Sequence, residues 1–250
     1  MPQVFPTAAA AAPAAAYVTT LTDIDFTSLG SAAWSDGPVT LDGNSWTVAN
    51  SANASTFGPS GSTLVIEPTA GDLYSTSRTA PQVSIDLSSL DASISDDAEY
   101  VVQVICAWPS AMANFSRAQF GFYSAAGTSE GYTAVYGPQW SSGGIRTGFR
   151  GGTSVSTAAA GGSEVSWWVK LNRSASHECR YGTSTDADPF GGTLGPVLYC
   201  GTGAAPSAGP PVSILLKPST ARVVIAAVQP NPTGGYAIDR IIVSKIAAAA

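Results

Sequence analysis

Short runs in which apolar and polar residues alternate, each closed by Gly, Pro, Asn, Asp or Ser, recur along the whole 250-residue chain. A period of two is the mark of a strand with one face in a core and one in water. The runs are TDIDF (22–26), SWTVA (45–49), TLVIE (63–67), QVSIDL (82–87), EYVVQVIC (99–106), RAQFGFYS (117–124), YTAVY (132–136), VSWWVKLNR (165–173), ECRYGTS (178–184), SILLK (213–217), ARVVIAAV (221–228) and YAIDRIIVSKI (236–246). Helix signals are nearly absent. Asp42-Gly43 stands between two segments as a tight hairpin turn does. In VSWWVKLNR, Val165, Trp167, Val169 and Leu171 form one face and read as core, while Ser166, Trp168, Lys170 and Asn172 form the other. Trp168 is therefore a large ring on a polar side, either covered by a loop or offered to a ligand.

The pattern predicts an all-β chain, an antiparallel two-sheet sandwich of jelly-roll type. No linker or internal repeat divides the segment from 17 to 246, which reads as one domain. Residues 1–16, MPQVFPTAAAAAPAAA, form an Ala/Pro arm with too little apolar area to build a core against its ordering entropy. Residues 247–250 are a short Ala tail. The arm has no Lys or Arg ahead of its alanines and no Leu-rich stretch, so it does not read as a secretory signal. It is also too short and proline-broken to span a membrane.

Charge narrows the function classes. Charged residues make up 11% of the chain, against about 25% in an ordinary soluble domain. The surface must be mostly Ser, Thr, Gly and Ala, which repels neighbours weakly and suits a protein packed among copies of itself or other subunits. A net charge of -6, with 11 Lys and Arg in all, leaves no basic stripe for phosphates, and nucleic acid is not an expected partner. Cys106, Cys179 and Cys200 are too few and scattered for a disulfide scaffold. Cys179 and Cys200 either pair across neighbouring strands or stay free thiols.

The strand WWVKLNR, a short turn and ECRYGTSTDAD resemble paired strands of the concanavalin A-like lectin/glucanase jelly rolls, where Trp, an aliphatic, a basic and a second aliphatic residue lead to Arg. DIDFTSL near the start and YAIDRIIVSKI at the end are similar to the terminal strands of that superfamily. The resemblance spans about Asp23 to Ile246 and implies that these terminal strands lie side by side. It also makes His177 and Cys179 members of an ordinary strand pair, since neighbours two apart on one strand are too distant for a catalytic hydrogen bond.

Glycosidases of the superfamily are similar in a Glu-x-Asp-x-x-Glu strand motif that supplies nucleophile and acid. None of Glu67, Glu99, Glu130, Glu164 and Glu178 has that spacing, so the chain reads as no enzyme, with a divergent glycoside hydrolase as the third choice. Asp186 and Asp188, near Gly191-Gly192, offer oxygen ligands for calcium but lack a distal acidic residue, and turn capping is the expected role. No cofactor is expected. Tyr136, Trp140 and Arg146, in a Gly-rich aromatic stretch, together with Trp168, are the candidate carbohydrate contacts, because sugar faces pack on rings while hydroxyls need polar partners. Val4, Phe5, Pro6 and Pro13 are the candidate contacts of the assembly arm.

The expected function is a non-enzymatic structural or assembly subunit, at the surface of a virion such as a bacteriophage, as capsid decoration or fibre. The alternative is an extracellular carbohydrate-binding module or lectin. Expected partners are other copies of the chain or other virion subunits, and possible glycans, with neither nucleic acid nor membrane.

Overall fold

Asp42 and Gly43 both take positive φ, 48° and 72°, and reverse the chain between two paired strands, as the Asp-Gly pair predicts. A computed structural model of the chain describes residues 17–71, 78–107, 117–124, 134–141, 144–149, 155–157, 164–171, 177–182, 198–200, 217–228 and 236–247. Side-chain burial is described within 19–71, 78–106, 120–124, 217–227 and 237–246. The described strands are β1 (Tyr17–Asp25), β2 (Gly37–Leu41), β3 (Asn44–Ala49), β4 (Ala54–Ser60), β5 (Thr63–Pro68), β6 (Gln82–Asp86), β7 (Glu99–Ala107) and β8 (Arg117–Tyr123). They continue as β9 (Ala134–Ser141), β10 (Gly144–Phe149), β11 (Val155–Thr157), β12 (Glu164–Leu171), β13 (His177–Gly182), β14 (Leu198–Cys200), β15 (Arg222–Val228) and β16 (Tyr236–Ala247). One four-residue helical turn, α1 (Leu87–Leu90), follows β6.

These strands form two antiparallel sheets. The first runs β14-β13-β12-β7-β16-β5-β4, and β1 also pairs with β16, in line with β5 along the same edge. The second runs β11-β10-β9-β8-β15-β6-β3-β2. Tyr100, Val102, Val104 and Cys106 of β7 and Ile241 and Val243 of β16 share one core with Phe120 and Phe122 of β8, Val223 and Ile225 of β15, and Trp46 of β3. The alternating residues meet face to face, which makes the fold a β-sandwich. Each fully buried large side chain contributes about 1.5–3 kcal/mol.

The near-continuous apolar run of β7 has a second cause. Val101, Gln103 and Ile105, on the face away from that core, are also buried. A strand covered on both faces loses the strict alternation of a half-wet one. The same holds for β15, where Val224 and Ala226 are buried behind Val223 and Ile225.

The terminal strands lie side by side, as the resemblance implies: Ile24 opposes Ile241 and Asp25 opposes Arg240. The expected neighbours β12 and β13 also pair, Trp168 opposite Arg180 and Val169 opposite Cys179. On their other flank, Val165, Trp167, Val169 and Leu171 oppose Cys106, Val104, Val102 and Tyr100, all four of which point into the core. The side chains of Trp167 and Leu171 lie outside the described residues.

Several strands differ from the sequence reading. β4 carries no clear alternation because Gly58-Pro59 falls inside it, and β2 alternates over only five residues that open on Gly37-Pro38. Both are outermost strands, the position where proline's missing N–H costs least. β1 begins five residues earlier than TDIDF, and Leu21 sits at a register shift between Thr20 and Thr22. β10, β11 and β14 were not expected as strands, and SILLK lies outside the described residues apart from Lys217, which is not in a strand.

Candidate functional site: a cleft between Trp34 and the outer strand

The residues after β1 help to build a concave feature. From Ser31 to Asp36 the chain runs against β4, the last strand of the first sheet. The Ala32 amide donates to the Pro59 carbonyl at 3.0 Å and the Trp34 amide to the Phe57 carbonyl at 2.7 Å. The edge of β4 is thus covered by backbone pairing at the crossing. The crossing is close enough that a Cβ on Gly58 would run into the Ala32 carbonyl oxygen, and Gly58 itself sits at φ 144°, where side chains are strained.

Trp34, half-buried, packs on Phe57 with ring centroids 5.6 Å apart and planes tilted by 59°. Beside this notch opens a cleft of about 510 Å3 lined by 31–34, 51–52 and 54–60. No charged side chain lines it. Its rim is hydroxyl-rich, and several of its polar groups are already engaged. Ser55 Oγ and Thr56 Oγ1 reach Glu67 Oε2 at 3.1 and 2.5 Å. The Gly61 amide donates to Ser31 Oγ at 3.0 Å, and the Ser51 amide to Asp36 Oδ1 at 2.7 Å. That Ser51 amide holds the Asp36 carboxyl below its ordinary range. What remains open is an apolar notch with main-chain and hydroxyl edges.

A second polar cluster lies between the turn after α1 and β16. Asp91, buried, accepts from Tyr100 Oη at 2.8 Å, from Ser93 Oγ at 2.8 Å and from the Ser93 amide at 2.9 Å, and Lys245 Nζ lies 2.8 Å from its Oδ2. Burial pushes the Asp91 carboxyl up, but the bonds from Lys245, Ser93 and Tyr100 outweigh it and bring it down to about 2. Burial and the bond to Asp91 push the Tyr100 hydroxyl well above its ordinary value. Lys245 Nζ also donates to the Ser93 carbonyl at 2.9 Å. Each partner is held by the others, so the cluster is a brace rather than a poised acid or base. Arg78, also buried, donates to the Ser124 carbonyl and, at 3.0 Å, to Ser124 Oγ, and lies over the Tyr123 ring.

The residues singled out from sequence are distributed as follows. Tyr136 and Trp140 stand on β9 and Arg146 on β10, in the second sheet, where Trp140 opposes Ile145 and Arg146 opposes Gln139. Trp168 stands on β12 in the first sheet, opposite Gln103. The four therefore come from two sheets, and their side chains lie outside the described residues. Cys179 opposes Leu198 while Cys200 opposes His177, so the two cysteines are diagonal on neighbouring strands. Cys106 is buried in the core. Asp186, Asp188, Val4, Phe5, Pro6 and Pro13 lie outside the described residues. Among the described residues no group of three or more His, Cys, Asp or Glu converges as metal ligands do, and no helix is long and apolar enough to cross a membrane.

The Trp34–Phe57 cleft was not anticipated. SAAWSD and TFGPS carry no alternation and look like loops. The available signal was a lone Trp in a run of Ser and Ala, a large ring with no apolar neighbours to bury it.

No protein-family model matches the sequence, and no curated protein does. Among solved structures the chain is similar to a protein of unknown function from Shewanella oneidensis MR-1, at 14% identity and a TM-score of 0.44, covering 99% of this chain and 98% of that one. It is also similar to the endo-1,3-beta-glucanase of Streptomyces sioyaensis, at 12% identity and a TM-score of 0.46 over 92% and 90% of the two chains. A third likeness is to the CBM2 module of the evolved Dit of Lactobacillus casei BL23 phage J-1, at 10% identity and a TM-score of 0.43 over 94% and 99%.

Proposed function

We propose that the chain is a non-enzymatic structural subunit of a larger assembly, a concanavalin A-like sandwich at the surface of a particle such as a bacteriophage virion, as decoration or fibre. The observation that carries this reading is an electrically quiet stretch of chain that supplies β2 and β3 of the second sheet and β4 and β5 of the first. Of the exposed residues between 37 and 70, only Asp42 is charged. Its carboxylate is occupied, accepting from Thr22 Oγ1 and the Asp23 amide at 2.9 Å each. The rest of that surface is Ser, Thr, Ala, Gly and Pro. Such a surface has few charges to strip of water and meets little like-charge repulsion from a neighbour.

A carbohydrate-binding role is the second reading, favoured by the ring of Trp34 beside serine and threonine hydroxyls. The two are separated by sedimentation velocity of the purified full chain over a range of concentrations and salt. The assembly reading expects higher-order species that persist at 1 M salt, since uncharged contacts are not screened. A chain that stays monomeric throughout, and binds neutral oligosaccharides, overturns it in favour of the second.

A further inference from the structure

We infer that the Trp34–Phe57 cleft is the seat of the Ala/Pro arm of a second copy of this chain, so that subunits join head to tail with Phe5 and Pro6 in the notch. The inference rests on the assembly reading above and names its contact.

The chemistry of cleft and arm agree. Residues 1–16 contain no charged side chain, and no charged side chain lines the cleft. Pro2, Pro6 and Pro13 bias the arm toward the extended polyproline form, which loses little entropy on docking and is recognised by aromatic-lined grooves that also hydrogen-bond its open backbone. The notch supplies one such ring, the half-buried Trp34, packed at 59° on the buried Phe57 and flanked by the apolar Ala33 and Ala54. A sugar would need side chains free to read its hydroxyls. The nearest carboxylates, Glu67 and Asp36, are already engaged with Ser55, Thr56 and Ser51.

Geometry selects a second copy over the arm's own subunit. Tyr17 opposes Ala247 at one end of β16, whereas Phe57 opposes Ile66, which opposes Tyr236 at the other end. About eleven strand steps, roughly 36 Å, separate the two levels, and β4 lies two strands to the side, roughly 10 Å more. β1 runs from Tyr17 toward the cleft level, so the chain enters β1 at the pole opposite the cleft. From Tyr17 to Phe5 a fully extended polyproline arm spans about 37 Å. To reach its own cleft the arm would have to reverse at Tyr17 and return taut along the whole sheet. Docking in a neighbour needs neither. An arm at one pole and its seat at the other make a heterologous contact, which closes into rings or grows into filaments.

The test uses the full chain and two variants, Phe5→Ala in the arm and Ala52→Arg at the exposed rim of the cleft, neither of which touches the core. Each alone is expected to weaken self-association at least about tenfold, as loss of an anchor from its pocket does. Mixed together they are expected to form a dimer and nothing larger, because the intact arm of the Ala52→Arg chain fills the intact cleft of the Phe5→Ala chain and no open pair remains. Self-association unchanged in both variants overturns the inference while leaving the assembly reading standing. A mixture that stays monomeric overturns it too, as do neutral oligosaccharides that bind the wild type but not Ala52→Arg by calorimetry. A wild-type chain that never self-associates removes both the inference and the reading it rests on.

Discussion

Arg240 donates from its guanidinium to both oxygens of the Asp23 carboxylate, Nε to Oδ1 at 2.7 Å and a terminal nitrogen to Oδ2 at 2.6 Å, across 217 residues of chain. Asp25, which lies directly opposite Arg240 in the register, leaves its own carboxylate to the Thr27 amide at 2.9 Å. The forked pair therefore pins the last turn of β1 diagonally onto β16. The two side chains are about a third exposed, at 35% and 36%, so their attraction is screened. A double-mutant cycle with Asp23→Ala and Arg240→Ala is expected to give a coupling on the order of 1 kcal/mol that shrinks in 1 M salt. Urea unfolding measures it; a coupling near zero at low salt would make the pair ornamental.

Acid should loosen the brace around Asp91. Its carboxyl sits at about 2 in the folded chain against an ordinary 3.8, so the folded state prefers the charged form. That preference stabilises at neutral pH and is lost as pH falls from about 5 toward 2. The lost stability is roughly 2 kcal/mol. Asp91→Asn is expected to lower stability at pH 7 and to flatten the acid limb of the urea midpoint against pH.

Gly58→Ala cannot keep the crossing of 31–36 over β4. The added methyl meets the Ala32 carbonyl oxygen, and φ 144° is closed to alanine at low cost. A loss of more than about 2 kcal/mol is expected, with loosening of the Trp34 packing visible in near-ultraviolet circular dichroism. The same substitution at Gly43, where a Cβ meets nothing within 4 Å but φ is 72°, is expected to cost only about 1 kcal/mol.

Trp46 is fully buried, and its indole N–H has no hydrogen-bond partner among the described residues. Trp46→Phe removes that N–H along with some volume, so the relief of an unsatisfied donor, about 1–3 kcal/mol, offsets much of the lost packing. A net change within about 1 kcal/mol is expected, against about 3–5 kcal/mol for Trp46→Ala. Equal losses from the two variants would mean that the indole nitrogen is satisfied in solution.

The strands legible in the sequence were those whose side chains carry the core. Val83 and Ile85, Phe120 and Phe122, and Val223 and Ile225 each stand two apart and reach the core as their spacing demands. β4 was hidden because its place is fixed by backbone contacts. Gly58 is there to let Ala32 pass, and a glycine that makes room gives no hydrophobic signal. The cleft was illegible for the same reason. Trp34 and Phe57 meet only because a segment without periodicity is carried over the outer strand by two main-chain hydrogen bonds, and such bonds leave no trace in side-chain pattern. The aromatic stretch from 130 to 152 stood out by composition, which marks where rings are but not which of them share a surface.

Tyr17 and Ala247 are cross-strand partners at one pole of the first sheet. Tyr17 and Ala247 can therefore be joined by a few residues and the chain reopened at Asp42-Gly43 without severing a pairing inside either sheet. A circular permutant cut there keeps every ladder but exchanges the covalent hairpin of β2 and β3 for two termini. If it folds, the sandwich is specified by its strand contacts rather than by the order in which they are made, and the new joint lies at the pole opposite the cleft.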